Sequence, residues 1–275
     1  MLKPTNLDEY RDWAKQNLPS DFSNPKIARL YETNLTNIHN AVTQHSFFVF
    51  FSSQASRWQE EYNQKTCSEL FMGSNEPSLV TKPYKSSIEK TYRVNVLWNK
   101  DFPSEPKKGW VNHQNIFTHF NDLVRGTLVC RFIDGPAFIA KKIIEYAKEH
   151  NLKYRKYSQE RDDGYYAYHV YVSFPAKIFD MEWNEEDVYI ETEIQITTQL
   201  QEVLKDLTHK FYEKQRISLD RDTSKWKWDF ASSRFKVGYL SHTLHLLESI
   251  ILESREKVLG GHLIDDEGVE EDING

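Results

Sequence analysis

The 275-residue chain has little of what marks several specialised protein classes. Its two cysteines, Cys67 and Cys130, supply neither a disulfide framework nor metal-ligand spacing. Both are expected to be buried small hydrophobes, in a reducing cytoplasm. No apolar run approaches the ~20 residues of a membrane span. The longest candidate, Phe47-Phe48-Val49-Phe50-Phe51, is far too short. Met1-Leu2-Lys3-Pro4 lacks the apolar core of a signal peptide. Positive charge is not in excess either: the formal net charge is −6. That figure comes from the tail. After Lys257 stand Asp265, Asp266, Glu267, Glu270, Glu271 and Asp272, with no Lys or Arg. The body is therefore near neutral, and a basic stripe within it stays compatible with the mildly acidic total. Internal repeats and low-complexity segments are absent.

What is present describes a folded protein. Apolar residues make up 39% of the chain and aromatics 14%, enough for a buried core in one large domain or two small ones. Residues 7–18 read as a helix with Asn6 as N-cap. Ile27, Leu30, Tyr31, Leu35, Ile38 and Val42 recur at helical spacing. A further helix is expected from Ser46 into Leu70. No Pro or Gly separates it from its predecessor, so the two could be one long or kinked helix. His39 and His45 on these helices read as structural or surface residues. Gly73, Asn75, Pro77 and Pro83 mark a loop. A helix then covers Tyr84–Trp98, and a short helix or turn covers Ile116–Asn121. A strand follows at Leu123–Ile133, and Asp134-Gly135-Pro136 opens a helix ending near His150. Strands are expected at Lys153–Ser158, Tyr165–Phe174 and Tyr189–Thr198. Helices over Gln199–Gln215 and Ser233–Lys257 close the chain. The order, helices then β-α-β-β-β then helices, favours a mixed sheet.

The Tyr189–Thr198 segment alternates strictly. Ile190, Thr192, Ile194 and Ile196 share one face; Glu191, Glu193, Gln195 and Thr197 share the other. The polar row is either a sheet face open to water or the floor of a site. Other candidates each have an ordinary counterpart. Lys82, Ser86 and Lys90 are four apart, with Arg93 about one turn further. They form either a phosphate cradle at a helix start or a solvated helix face. Asp122 at the mouth of a strand is a weak cation-site signal alone and simple turn chemistry otherwise. Paired with Glu193 it becomes a candidate two-carboxylate Mg²⁺ site. Tyr165, Ala167 and His169 share a strand face, suited to stacking on a base and donating to phosphate, or to plain cross-strand packing. That packing is expected for Tyr166, Tyr168 and Tyr171 in any case. Lys205 and His209 are four apart on the next helix and could add positive charge, or simply line an exposed face.

In order and spacing these pieces resemble the synthetase domain of the RelA/SpoT family, the alarmone (ppGpp) synthetases, over about residues 80–215. The family's Lys-x3-Ser-x3-Lys run is matched by Lys82, Ser86 and Lys90. Its Asp at the start of an apolar strand is matched by Asp122. Gly-Tyr-Arg-Ser-x-His is matched in part by Gly164-Tyr165-Tyr166-Ala167-Tyr168-His169. Glu-Ile-Gln-Ile-Arg-Thr is matched by Glu193-Ile194-Gln195-Ile196-Thr197-Thr198, and His-x-x-Tyr-Lys by His209 to Tyr212 with Glu213 in place of the Lys. The resemblance implies a nucleotidyltransferase-like α/β fold: a mixed sheet flanked by helices, with helical extensions at both ends. The expected division is an N-terminal helical region (1–72), a synthetase core (73–216), C-terminal helices (217–257) and an acidic tail (258–275).

The implied activity is a cytoplasmic pyrophosphokinase moving the β,γ-pyrophosphate of ATP to the 3′-hydroxyl of GDP or GTP, with Mg²⁺ or Mn²⁺. Lys82, Ser86, Lys90 and Arg93 would hold ATP phosphates. Asp122 would be the main metal ligand, and Glu193 a second ligand or the base. Tyr165 would stack on the acceptor base, with His169, Gln195 and His209 helping to place the acceptor. The departures fall on the acceptor side. Tyr166, Ala167 and Thr197 stand where the family has Arg, Ser and Arg. Val80 replaces an Arg before the cradle, and Arg125-Gly126-Thr127 replaces Gly-Ile-Arg. Related toxins modify the 3′-CCA end of tRNA or adenine nucleotides, so these acceptors are the alternative. An inactive nucleotide-binding regulator is the third reading. An antitoxin or a second copy of the chain are the protein partners left open. With no His-Asp dipeptide, synthesis without hydrolysis is expected.

Overall fold

A computed structural model describes residues 3–160, 164–205 and 226–260. The described chain is mixed α/β, with one five-stranded sheet in the order β1-β2-β5-β4-β3. The strands are β1 (Val80–Thr81), β2 (Val124–Cys130), β3 (Tyr154–Glu160), β4 (Tyr166–Phe179) and β5 (Glu185–Thr198). β3 and β4 are antiparallel, with Tyr154 opposite Val172 and Tyr157 opposite His169. The helices are α1 (Leu7–Asn17), α2 (Pro25–Gln44), α3 (Ser46–Val49), α4 (Phe51–Thr66), α5 (Tyr84–Tyr92), α6 (Ile116–His119), α7 (Gly135–Glu149), α8 (199–205) and α9 (Ser233–Leu259). No described helix is long and apolar enough to cross a membrane. The chain divides into two compact units that interleave in sequence.

The first unit comprises Met1–Gln44, Val80–Val124 and Ser173–Thr192. Asn6 caps α1 as its sequence suggests, accepting from Glu9 N at 2.9 Å while Glu9 accepts from Thr5 N at 2.8 Å. This reciprocal arrangement meets donors that a helix start otherwise leaves unpaired. Tyr10, Trp13, Phe22, Ile88, Tyr92 and Val96 lie in one buried cluster. Asn95 is fully buried, yet its amide bonds Tyr10 Oη at 2.9 Å and both backbone groups of Val111. Burial of an amide is tolerable because each end finds a partner. After Tyr92 the helix widens into a π-helical turn, Arg93–Leu97, closed by Trp98 N donating to Arg93 O at 2.7 Å. The expected helix to Trp98 is thus continuous but changes pitch.

The second unit comprises His45–Leu79, Arg125–Val172 and Glu193–Gly275. The expected helix over 46–70 is split at Phe50 into α3 and α4, and His45 separates it from α2, so the two helices do not run on as one. His45 takes an extended conformation and its Nδ1 accepts from Phe47 N at 3.2 Å, so it caps α3. α4 ends at Thr66, and Cys67 follows in the left-handed region at φ 54°. This corrects the expectation for Cys67: it is an exposed helix-ending residue, whereas Cys130 is buried. Phe47 packs on Tyr146 with ring centroids 4.8 Å apart, and Trp58 on Tyr146 at 5.8 Å. A buried polar knot ties α9 to α4 and the start of α7. Arg255 meets both Asp134 oxygens, at 3.2 and 2.9 Å, and Tyr62 Oη at 2.7 Å; Tyr62 donates to Asp134 at 2.7 Å.

Candidate active site

The first unit gathers Lys82, Lys90 and Asp122. Lys82 lies between β1 and α5, where its backbone is clamped: its N–H donates to Leu123 O at 2.8 Å and its carbonyl accepts from Tyr31 Oη at 2.8 Å. Tyr31 is held in turn by Ser87 at 2.6 Å. Lys90 stands two turns along α5, with its ammonium 4.5 Å from the Phe120 ring centre. Both lysines reach the same carboxylate: Lys82 Nζ lies 2.9 Å from Asp122 Oδ2 and Lys90 Nζ 2.7 Å from Oδ1. Burial alone would raise the Asp122 carboxyl pKa. The Lys90 and Lys82 charges outweigh it and hold the group below its ordinary value. The triad therefore carries one carboxylate and two ammoniums, a net single positive charge.

Ser86 is half-buried on α5. No side chain caps the start of this helix, where Pro83 occupies the cap position. Arg93 turns away from α5 regularity in the π-helical segment, its guanidinium 5.6 Å from the Trp98 ring centre.

The second unit gathers Tyr165, His169, Glu193 and Tyr171. Glu193 and His169 are both buried, at 6% and 3% exposure. Glu193 Oε1 takes His169 Nδ1 at 2.5 Å and the Tyr171 hydroxyl at 3.0 Å. His169 Nε2 meets the Tyr165 hydroxyl at 3.2 Å. The two-residue repeat of β4 puts His169 and Tyr171 on one side, and Tyr165, just before the strand, continues the same odd-numbered series. Tyr171 exceeds its expected packing role. It bonds Glu193 and carries the Arg155 guanidinium 3.6 Å from its ring centre.

The alternation of β5 is as the sequence suggests, with Ile190, Thr192, Ile194 and Ile196 all at 0% exposure. Its other face is not open to water: Glu193 and Thr197 are both buried, while Glu191 and Gln195 are half-buried.

A pocket beside this line is bordered by Tyr165, Gln195, Thr197, Gln201, Lys205 and Ser241. It brings Tyr165 and Gln195 together. Gln201 and Ser241 carry no motif and escaped sequence reasoning; only the position of Gln201, in the first turn after β5, hinted at it. Gly164 makes the close approach of α9 possible. Its φ is +91°, and a Cβ there would sit 2.6 Å from Ser241 Cβ. Tyr166 stacks on His245 at 3.7 Å and bonds His242 at 2.6 Å. Lys205 pairs with Glu202 at 3.1 Å, and Arg131 pairs with Glu69. His209 lies outside the described residues. Among the described residues no group of three or more His, Cys, Asp or Glu is placed to hold a metal.

No protein-family model and no curated protein sequence matches the chain. Solved structures do. Small alarmone synthetase 1 from Bacillus subtilis superposes with a TM-score of 0.54 at 16% identity, over 84% of this chain and 98% of the other. Small alarmone synthetase 2 from the same organism gives 0.47 at 17%, over 90% and 100%. A GTP pyrophosphokinase family protein from Streptococcus pneumoniae gives 0.46 at 14%, over 86% and 95%. Only the first likeness is close enough to weigh, and it is a likeness of fold: the chain has a fold similar to that of small alarmone synthetase 1.

Proposed function

We propose that the protein is an ATP-dependent pyrophosphokinase that transfers the β,γ-pyrophosphate of ATP to the 3′-hydroxyl of a guanine nucleotide. The observation that carries this reading is the Lys82–Asp122–Lys90 triad on a fold like that of small alarmone synthetase 1. Transfer of this kind needs positioning and charge neutralisation more than covalent chemistry. The triad offers both in a poised form. The one carboxylate is shared by the two ammoniums, so one positive charge is left over for an anion. An incoming triphosphate gives Lys82 and Lys90 new partners, with Ser86 and the uncapped N–H groups of α5 alongside.

Release of the lysines frees Asp122, an ionised hard-oxygen donor that fits a magnesium ion. With few protein carboxylates available, the remaining ligands would be phosphate oxygens and water, as magnesium prefers. The ion would supply neutralisation of the charge that builds on the transferring group. Glu193 is assigned as the base that takes the 3′-hydroxyl proton, with His169 and Tyr171 fixing its orientation. Tyr165 supplies a ring for the acceptor base.

A second acceptor class, tRNA ends or adenine nucleotides, is favoured by one observation. Tyr166 stands where the family has an arginine, and it is spent on packing against His242 and His245. The test is incubation with γ-labelled ATP, Mg²⁺ or Mn²⁺, and GDP, GTP, ATP or bulk tRNA as acceptor. Label on GDP or GTP supports the first reading and label on tRNA or adenine nucleotide the second. No label on any acceptor refutes both.

A further inference from the structure

Gln201 is buried at 7% exposure and borders the pocket that holds Tyr165, Gln195 and Thr197. One end of its amide meets Ser241 Oγ at 3.1 Å, while the other has no hydrogen-bond partner. The Ser241 hydroxyl also donates to the Gly164 carbonyl, in the shorter of its two contacts. A hydroxyl carries one proton. With that proton on Gly164, Ser241 Oγ can only accept, so the amide end that faces it must be the NH₂. Amide oxygen and nitrogen are assigned by such network logic. The Gln201 carbonyl then takes the opposite end. That end is buried on the wall of a pocket, where the Gln201 amide meets no hydrogen-bond partner among the described residues. Buried acceptors are rarely left unmet without a reason.

We propose that Gln201 reads the base of the acceptor nucleotide, its carbonyl accepting an N–H from the Watson–Crick edge of guanine, with Ser241 as the positioning residue that fixes the amide. This rests on the pyrophosphokinase reading above. Guanine carries two adjacent donors, N1–H and the 2-amino group. A carboxylate is the simplest partner for such an edge, and no Asp or Glu borders the pocket among the described residues. The Gln201 carbonyl, with the Gln195 amide at the same pocket turned to present its own carbonyl, would supply the same pair of acceptors. Adenine offers a donor beside an acceptor and would leave one carbonyl unmet. Tyr165 adds an aromatic ring at the same pocket.

The test is equilibrium binding of three 5′-diphosphates to the full chain by calorimetry: those of guanosine, adenosine and purine riboside. The last has no N–H donor on its base. Wild type is expected to prefer GDP to both others by roughly tenfold or more. Gln201→Leu should weaken GDP roughly tenfold and leave purine riboside diphosphate within about twofold. Ser241→Ala should narrow the gap in the same direction. Gln201→Glu, which keeps an acceptor oxygen at the pocket wall, should retain the preference for GDP. An equal fall for all three ligands in Gln201→Leu, an unchanged gap, or a wild-type preference for ADP overturns the assignment. If guanine is nevertheless labelled in the transfer assay, only the role of Gln201 fails. If wild type binds no nucleotide, the pyrophosphokinase reading fails with it.

Discussion

Lys90 Nζ lies 2.7 Å from Asp122 Oδ1, so a candidate phosphate ligand and a candidate metal ligand hold each other. Lys82 closes on the other oxygen at 2.9 Å. The three side chains are 12–19% exposed, so the pairing is shielded from full solvent screening. Asp122→Asn removes the counter-charge and leaves two ammoniums close together. The variant should bind ATP more tightly than wild type without divalent cation, and transfer should fall by about a hundredfold or more. Calorimetric titration with and without Mg²⁺, beside a turnover assay, reads both. Equal metal-free affinity would count against the exchange of partners.

The same pairing sets an acid limit on stability. Against the pull of burial, the Lys90 and Lys82 charges depress the folded Asp122 pKa below its ordinary value. Stability from such a group is fully present above the unfolded pKa and is lost as pH falls through the folded one. The wild-type advantage over Asp122→Asn in urea unfolding should therefore be constant near neutral pH. It should shrink as pH drops below about 4. An advantage that persists unchanged to the lowest accessible pH would contradict the ion pairing.

Arg255 anchors α9 through Asp134, with both side chains almost wholly buried. Arg255→Leu strands a buried carboxylate and should cost about 3–5 kcal/mol. Tyr62→Phe removes the hydroxyl that donates to Asp134 and accepts from Arg255 while leaving the Arg255–Asp134 pair in place, and should cost about 1.5–3 kcal/mol. Chemical denaturation of the two variants orders them. Similar small losses would show that the knot contributes little.

Gly164→Ala combines a left-handed φ with a Cβ set against Ser241. It should destabilise by about 1–3 kcal/mol and weaken acceptor binding more than ATP binding. A comparison of KM for the two substrates tests this. An equal effect on both would remove the link between Gly164 and the acceptor pocket.

Much of this was legible in the sequence, for physical reasons. The spacing of Ile27, Leu30, Tyr31, Leu35, Ile38 and Val42 predicts α2, and all six are buried. Strict alternation predicts β5 and its apolar face. Lys82, Ser86 and Lys90 single out both lysines that meet Asp122, although Lys82 reaches it from the segment between β1 and α5 and not from helical register. What escaped was decided by single side chains or long-range contacts. The break at His45 depends on a ring nitrogen acting as a cap, which no Pro or Gly announces. Cys67 follows a general burial tendency until a left-handed helix end puts it outside. Gln201 and Ser241 meet only because α9 approaches Gly164 across a sequence separation that local patterns cannot see.

The decisive measurement is phosphorus NMR of a reaction containing the protein, ATP, GDP and Mg²⁺. Pyrophosphate transfer predicts AMP in step with a guanosine nucleotide bearing a 3′-diphosphate, and neither product with Asp122→Asn. Release of ADP with a singly phosphorylated acceptor, or ATP left intact beside every acceptor tried, would contradict it.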